Sequence, residues 1–287
     1  MGIRAWTCAA ALAVGLVATA PAAAQGPAAV RKQVESSVLV TGTIDLRQDG
    51  TVAGHAIDHR DRLPKGVAAM VDRHAGSWRF EPIVLDRPGQ VGRAKMSVRV
   101  VARRLDDGNY LVRLAGANFG TPRDGDPAER VSAAAMAPPR YPQDAARAGV
   151  SGTVYTALKI GRDGRVEDAI AEQVNLRYID SESGMQRWRD RLARAALARA
   201  QEWTFRPPTR GEDADDAFWS VRVPVDFELA GDTAKRDEPG RWQAYVPGPR
   251  QAIPWATEPD HGGDALVAGG VYPVGGGLRL LTPLGGG

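Results

Sequence analysis

A set of short motifs runs twice through this chain in the same order. Residues 42–54 read GTIDLRQDGTVAG and residues 152–166 read GTVYTALKIGRDGRV. Each copy begins Gly-Thr, alternates roughly between apolar and polar side chains, and turns at an Asp-Gly pair, Asp49-Gly50 or Asp163-Gly164. Asp-Gly between alternating segments is the strongest short hairpin signal, because both residues tolerate positive φ. Farther on, WRFEP at 78–82 is matched by WTFRP at 203–207, and SVRV at 97–100 recurs at 220–223. Three matches in one order argue for two copies of a unit built as hairpin, helix, Trp-x-Phe-x-Pro and final strand.

The helix is clearest in the second copy. Between Gly184 and Gln201, Trp188, Leu192, Ala196 and Ala200 recur every four residues, with Trp203 just beyond. That is one apolar stripe at helical spacing. Arg187, Arg191, Arg194 and Arg199 fall mostly off it and read as a solvated face. The first copy has a shorter counterpart around Gly66 to Ala75.

The last strand of the second copy separates two faces. Val221, Val223, Val225, Phe227 and Leu229 point one way, and Arg222, Pro224, Asp226 and Glu228 the other. This predicts one buried face and one wet face. Pro224 has no N–H for a ladder, which places the strand at a sheet edge. Such an edge must be protected or will accept another strand. In the first copy Val101 stands where Pro224 would be, and the chain continues through Asp106-Asp107-Gly108-Asn109 into a further strand, Tyr110 to Ala115. We read this as a hairpin covering the corresponding edge, so that the first unit is closed and the second open. Residues 116–137 read as a linker, rich in Gly, Pro, Ala and charge. Residues 231–287 hold 13 Gly and 7 Pro, which predicts a disordered tail from residue 230 onward.

The second copy resembles the C-terminal domain of the TonB energy-transducer family. The residues that carry the resemblance are Tyr141-Pro142, Ala145, Gly149, Gly152-Thr153-Val154, Gly164, Ala195-Ala196-Leu197, Trp203, Phe205, Pro207 and Val223-Pro224-Val225-Asp226-Phe227. It spans residues 138–229. Residues 36–115 are similar in their second half but lack the Tyr-Pro segment, and are read as a degenerate copy. The resemblance implies an α+β fold: two small units, each an antiparallel sheet with helices packed on one face. It also implies protein binding rather than catalysis, the final strand accepting an extended segment of an envelope protein such as an outer-membrane transporter. The implied partner-binding residues are Val221, Arg222, Val223, Pro224, Val225, Asp226, Phe227, Glu228 and Leu229. The family's membrane anchor carries a polar residue such as His, and a long Pro-rich spacer follows it. The apolar N-terminal stretch here has no His, and no such spacer lies between residues 25 and 138.

The N-terminus reads as an address. One basic residue, Arg4, precedes an uncharged stretch from Ala5 to Ala20, followed by Pro21 and Ala22-Ala23-Ala24. This is the layout of a signal peptide cleaved after Ala24, and it predicts a periplasmic protein. The alternative is an uncleaved anchor, since about 20 apolar residues can span a bilayer. The single cysteine, Cys8, lies inside that stretch, so cleavage leaves no thiol nucleophile, Cys-ligated zinc or disulfide.

Enzyme chemistry finds little support. His55 and His59, with Asp58 and Asp61, have a spacing that can hold a metal on a helix, but they follow a strand and read as surface histidines. Ser151 lies outside a nucleophile elbow, and Glu212, Asp213, Asp215 and Asp216 read as a solvated loop. No phosphate-cradling loop is present. A formal charge of +3 does not suggest a nucleic-acid binder. We therefore expect no catalytic residues, no metal and no small-molecule cofactor. Three functional readings follow: a periplasmic strand-addition module linked to outer-membrane transport, a full anchored energy transducer, and a self-assembling envelope scaffold, with a homodimer formed through the open edge.

Overall fold

The computed structural model describes residues 26–85, 87, 89–120, 126–229, 238–256 and 265–285. The expected address at 1–24 lies outside them. Among the described residues no helix is long and apolar enough to cross a membrane. The elements, in chain order, are α1 (Pro27–Arg31), β1 (Glu35–Leu46), β2 (Val52–Ile57), α2 (Val67–Ala75), β3 (Gly92–Arg104), β4 (Tyr110–Phe119), β5 (Ser132–Ala135), α3 (Gln143–Arg147), β6 (Gly152–Gly161), β7 (Val166–Leu176), α4 (Glu182–Ala200), β8 (Thr204–Arg206), β9 (Phe218–Phe227), β10 (Gln243–Tyr245) and β11 (Tyr272–Pro273).

Among the described residues the fold is α+β with two main antiparallel sheets and a third, two-stranded one formed by β5 and β8. In the first, β3 lies between β1 and β4, while β2 and β10 share the other side of β1. In the second the order is β11-β9-β6-β7. Each main sheet buries one face under its own helix. Val67, Val71 and Ala75 of α2 close over Val38, Val40, Ile44, Val98 and Val100. Met185, Leu192, Ala196 and Ala200 of α4 close over Val154, Leu158, Val221, Val223 and Phe227. Three of the four residues of the expected stripe, Leu192, Ala196 and Ala200, are therefore buried with Met185, while Trp188 is only partly buried against the same core. Ser181 caps that helix, its hydroxyl accepting from the Gly184 N–H at 3.2 Å.

The three hairpins use one turn. In each, the residue before the loop and the residue after it are bonded: the Arg47 N–H reaches the Thr51 carbonyl (2.9 Å), Leu105 reaches Asn109 (2.8 Å), and Gly161 reaches Arg165 (2.9 Å). Only the glycine is left-handed, with φ of 79° at Gly50, 86° at Gly108 and 77° at Gly164. This is a three-residue loop, not the two-residue form that an Asp-Gly pair first suggests. The aspartate stays in an ordinary conformation and accepts from the N–H two residues on: Asp49 from Thr51 (3.0 Å), Asp107 from Asn109 (2.9 Å) and Asp163 from Arg165 (3.0 Å).

The Trp-x-Phe motif and the hairpin turn, seen separately in the sequence, meet in space. The Phe80 N–H donates to the Gly50 carbonyl (2.9 Å) and the Phe205 N–H to the Gly164 carbonyl (2.8 Å). The approach is so close that a Cβ on Gly50 would lie 2.0 Å from the Phe80 carbonyl oxygen, and one on Gly164 would lie 2.1 Å from that of Phe205. The rest of the clasp also recurs. Phe205 pairs with Ala133 of β5, and the Trp203 indole donates to the Ala137 carbonyl at 2.8 Å. Phe80 pairs with Leu280, and the Trp78 indole donates to the Leu284 carbonyl at 3.0 Å.

Two boundaries expected from the sequence are corrected. The linker assigned to 116–137 begins inside β4, which pairs with β3 as far as Phe119, and it contains β5. The tail assigned to 230–287 is ordered structure over 238–256 and 265–285. Its β10 pairs with β1, Val246 bridges to Leu176 at the end of β7, and β11 pairs with β9. Ile253, Ala265 and Leu266 are buried in it. Glycine and proline enrichment lowers the side-chain surface available for a core, but backbone hydrogen bonds to an existing sheet edge do not depend on side chains.

The glycine geometry predicts an order of stabilities. Gly108→Ala meets no neighbour within 4 Å and should cost only the left-handed strain, about 1–2 kcal/mol. Gly50→Ala and Gly164→Ala carry the same strain and must also push packed backbone apart, adding about 1–3 kcal/mol. Urea unfolding of the three variants checks this; equal losses would mean that the clasp is not close-packed.

Candidate functional site

Strand β9 combines a core strand and an edge strand. Along one side it is paired to β6 in continuous register, from Gly152 opposite Phe227 to Gly161 opposite Phe218. Its apolar residues Val221, Val223, Val225 and Phe227 are all buried against α4. The Tyr-Pro segment secures the far end: the Tyr141 ring stands edge-on to Phe227 at 5.5 Å, and its hydroxyl donates to the Val150 carbonyl.

Antiparallel strands direct each residue's N–H and C=O to the same side. The Ser220 carbonyl accepts from the Val274 N–H (2.9 Å) and the Pro224 carbonyl from the Gly269 N–H (3.0 Å), while Arg222 is paired with Tyr272. Residues 220, 222 and 224 therefore face the outer edge, and 221, 223 and 225 face β6. The N–H that Pro224 lacks would have pointed outward, so the β6 ladder loses nothing. This is the physical content of reading Pro224 as an edge marker. The edge is not open, however. Residues 269–274 lie along it, which corrects the expectation that the second unit has an uncovered final strand.

The face expected to be wet is also corrected. Arg222 is 4% exposed, Pro224 is buried, and Asp226 and Glu228 are only partly exposed. The helix-free faces of the two sheets lie against each other, with the chain around Ala265 and Leu266 between them. The Arg99 guanidinium donates to the Ser37 hydroxyl in its own sheet (3.0 Å) and to the Tyr155 hydroxyl in the other (3.3 Å). The Ser97 hydroxyl donates to the Ala265 carbonyl. Charges on this face are matched in place. Arg222 holds Glu172 through two bonds, Nε to Oε2 at 2.6 Å and an Nη to Oε1 at 2.9 Å, and Arg250 adds a contact at 3.2 Å. Arg177 lies 3.5 Å from both Asp226 and Glu228 and donates to the Thr153 hydroxyl (3.0 Å) and the Phe227 carbonyl (3.2 Å). Leu229, at the end of the run, is partly buried. A cavity of about 360 Å³ remains between the sheets, lined by Arg99, Tyr155, Arg177, Pro224, Asp226 and Tyr245 among others.

The histidine pair separates in the structure. His55, in β2, lies 2.8 Å from Asp72 of α2, and Arg60 binds the same carboxylate. His59 is exposed and has a left-handed backbone. Arg60, and then His55, hold the Asp72 carboxyl well below the usual range, at about 2. Among the described residues no cluster of three His, Cys, Asp or Glu side chains could hold a metal. In the acidic loop, burial raises the Asp213 carboxyl, with Asp216 and Glu212 adding to the effect. Its backbone carbonyl accepts from the Trp219 indole at 2.8 Å.

The second unit is a small α+β unit whose last strand is tied to β6 on one side and to residues 269–274 on the other. Residues 137–229, about a third of the chain, match the family described as Gram-negative bacterial TonB protein C-terminal, and this segment is similar to that domain. Two curated relatives, both named Protein TonB, come from Xanthomonas campestris pv. campestris strains B100 and ATCC 33913. Each is 35% identical to this chain over 99 residues, which is 34% of this chain and 38% of the relative. The chain thus matches well under half the length of those relatives.

Two measurements test the electrostatics. Arg222→Ala strands Glu172 in a buried setting and should cost about 3 kcal/mol, the low end for a broken buried pair because Arg250 remains. Replacing both partners with Met and Leu should cost much less in the same urea series. For Asp72, the unfolded pKa is about 3.9, so the stabilisation from its lowered pKa is complete above about pH 4 and is lost as pH falls through about 2. The stability gap between the native chain and Asp72→Asn should therefore narrow across that interval. A gap that is flat down to pH about 2 would contradict the pairing.

Proposed function

We propose that this chain is a periplasmic protein-binding module of the cell envelope. In this reading β9 takes an extended segment of an envelope protein by strand addition, in connection with outer-membrane transport. The observation that carries it is the orientation of β9 within a segment similar to the TonB C-terminal domain: residues 220, 222 and 224 present their backbone groups outward, and Pro224 stands among them. Strand addition gains affinity from main-chain hydrogen bonds and specificity from alternate side chains. The partner-binding stretch is Val221 to Leu229, acting through backbone, since Val221, Val223, Val225 and Phe227 serve the core and Arg222, Asp226 and Glu228 are engaged in ion pairs. The role needs no catalytic group, and we read the chain as non-enzymatic. The recurring hairpin, clasp and final strand fit a duplicated unit in which residues 36–115 are the degenerate copy. Export by a cleaved segment ending at Ala24 completes the reading.

Site-specific photo-crosslinking in growing cells tests the proposal. The probe belongs at Ser220 or Leu229, the partly exposed positions that flank the buried ion pair, and not at Arg222. The expected result is an adduct with an envelope protein, identified by mass spectrometry. Recovery of self-adducts alone, dependent on protein concentration, would replace this reading with a self-assembling scaffold.

A further inference from the structure

The outer edge of β9 is held by residues 269–274 of the same chain. Three features describe how. The segment runs antiparallel, with Tyr272 opposite Arg222 and Pro273 opposite Val221. Its end bonds fall on Ser220 and Pro224, at 2.9 and 3.0 Å. Pro273 sits at a position whose N–H would point away from β9, so its missing donor costs the pairing nothing. Side chains hold it as well. Val271 packs against the core of the second unit, and the Tyr272 hydroxyl bonds the N–H and carbonyl of Val267 at 3.0 and 3.1 Å, closing a small loop. Gly270 lies under that ring, where a Cβ would come within 2.5 Å of it.

The contact is short. Only two residues form the ladder, Val267 is about half exposed and Pro273 is exposed. By contrast, β9 pairs with β6 over ten residues. The outer strand can therefore leave without dismantling the inner one. The preceding residues Ala265 and Leu266 are buried between the sheets, which tethers the segment beside the edge after it detaches.

We propose that residues 269–274 are a built-in occupant of the β9 edge, and that a partner binds by replacing them. This rests on the strand-addition reading above. It also specifies the class of partner: an extended antiparallel segment with a glycine or other small residue near Pro224, an apolar residue at the 271 position aimed into the core, and a bulky side chain opposite Arg222. An occupant in cis lowers apparent affinity in proportion to the fraction of molecules whose edge is free. It also shields an edge that would otherwise recruit further copies of the chain.

The probe is a fluorescent synthetic peptide of residues 265–277, titrated into the full-length chain. In Val274→Pro the N–H that Ser220 accepts is gone, and in Tyr272→Ala the loop clamp is gone. Both variants should bind the peptide at least about tenfold more tightly than the native chain. Equal binding by native chain and variants, or no binding by either variant with the Trp203 region still native by fluorescence, overturns the proposal. Amide exchange on the native chain gives an answer independent of variant folding: Gly269 and Val274 should be protected, and exchange at the rate of an unfolded peptide would overturn it. The two readings fail separately. A crosslinked envelope partner captured equally by the native chain and by Tyr272→Ala would remove the displacement step and leave strand addition standing. Peptide binding of the expected kind without any envelope adduct would leave the cis occupant and remove the partner.

Discussion

Every antiparallel sheet ends in strands whose outward N–H and C=O groups must find partners, and this chain meets that demand mainly with one stretch. Residues 243–245 pair with the outer side of β1, Val246 bridges to Leu176 of β7, residues 272–273 pair with β9, and Leu280 bridges to Phe80. The bonds are main-chain bonds, so they place few demands on sequence. They need N–H groups at the right spacing and little bulk. A stretch rich in glycine and proline can supply both, provided each proline falls where its missing donor faces away from the sheet. Pro273 meets that condition, and Pro224 meets the matching condition from within β9.

What could be read from the sequence were features whose cause is local. The three hairpins follow from Asp, Gly and Asn at the turns, the helix from a four-residue apolar stripe, and the inner face of β9 from alternate valines ending in Phe227. Each signal is generated by residues within one element and needs no knowledge of what packs against it. The alternation in β9 also assigns Arg222, Asp226 and Glu228 to water, where the structure does not place them. A charged side chain is wet only if nothing charged is placed to meet it. Glu172 lies 50 positions from Arg222 in the chain, and Arg177 reaches Asp226 and Glu228 from the end of another strand. Those partners are brought together by sheet register, which the local pattern does not contain. The stacking of one sheet on the other is equally invisible, because Arg99 and Tyr155 carry no mark of each other.

Composition misleads over the tail for a related reason. Composition measures whether a segment can build a core of its own, and residues 231–287 cannot. It does not measure whether the segment can be laid on a core that already exists. Ile253, Ala265 and Leu266 are isolated apolar residues in a polar, glycine-rich run, yet each is buried because a prepared surface receives it. Pro224 did signal that an edge was present. Nothing near Pro224 signalled that the strand to fill it would come from Gly269 onward, 45 residues later in the chain.

The two clasps show how far this dependence goes. Around Phe205 the pairing strand is β5, and the carbonyl that accepts the Trp203 indole lies four residues beyond the Phe partner, at Ala137. Around Phe80 the pairing residue is Leu280, and the carbonyl that accepts the Trp78 indole again lies four residues beyond, at Leu284. The geometry is the same, but the source of the strand differs. The second unit takes it from the residues just before its own first helix, about 70 positions away from Trp203. The first unit takes it from about 200 positions away, across the whole of the second. Loop closure over that span costs more entropy, though only logarithmically so. The larger consequence concerns completion: the contacts that Trp78 and Phe80 make with Leu284 and Leu280 cannot form until residues 278–284 are in place. The first unit is thus local in its hairpins and non-local in its completion, and the segment that completes it is continuous with the one that occupies the edge of β9.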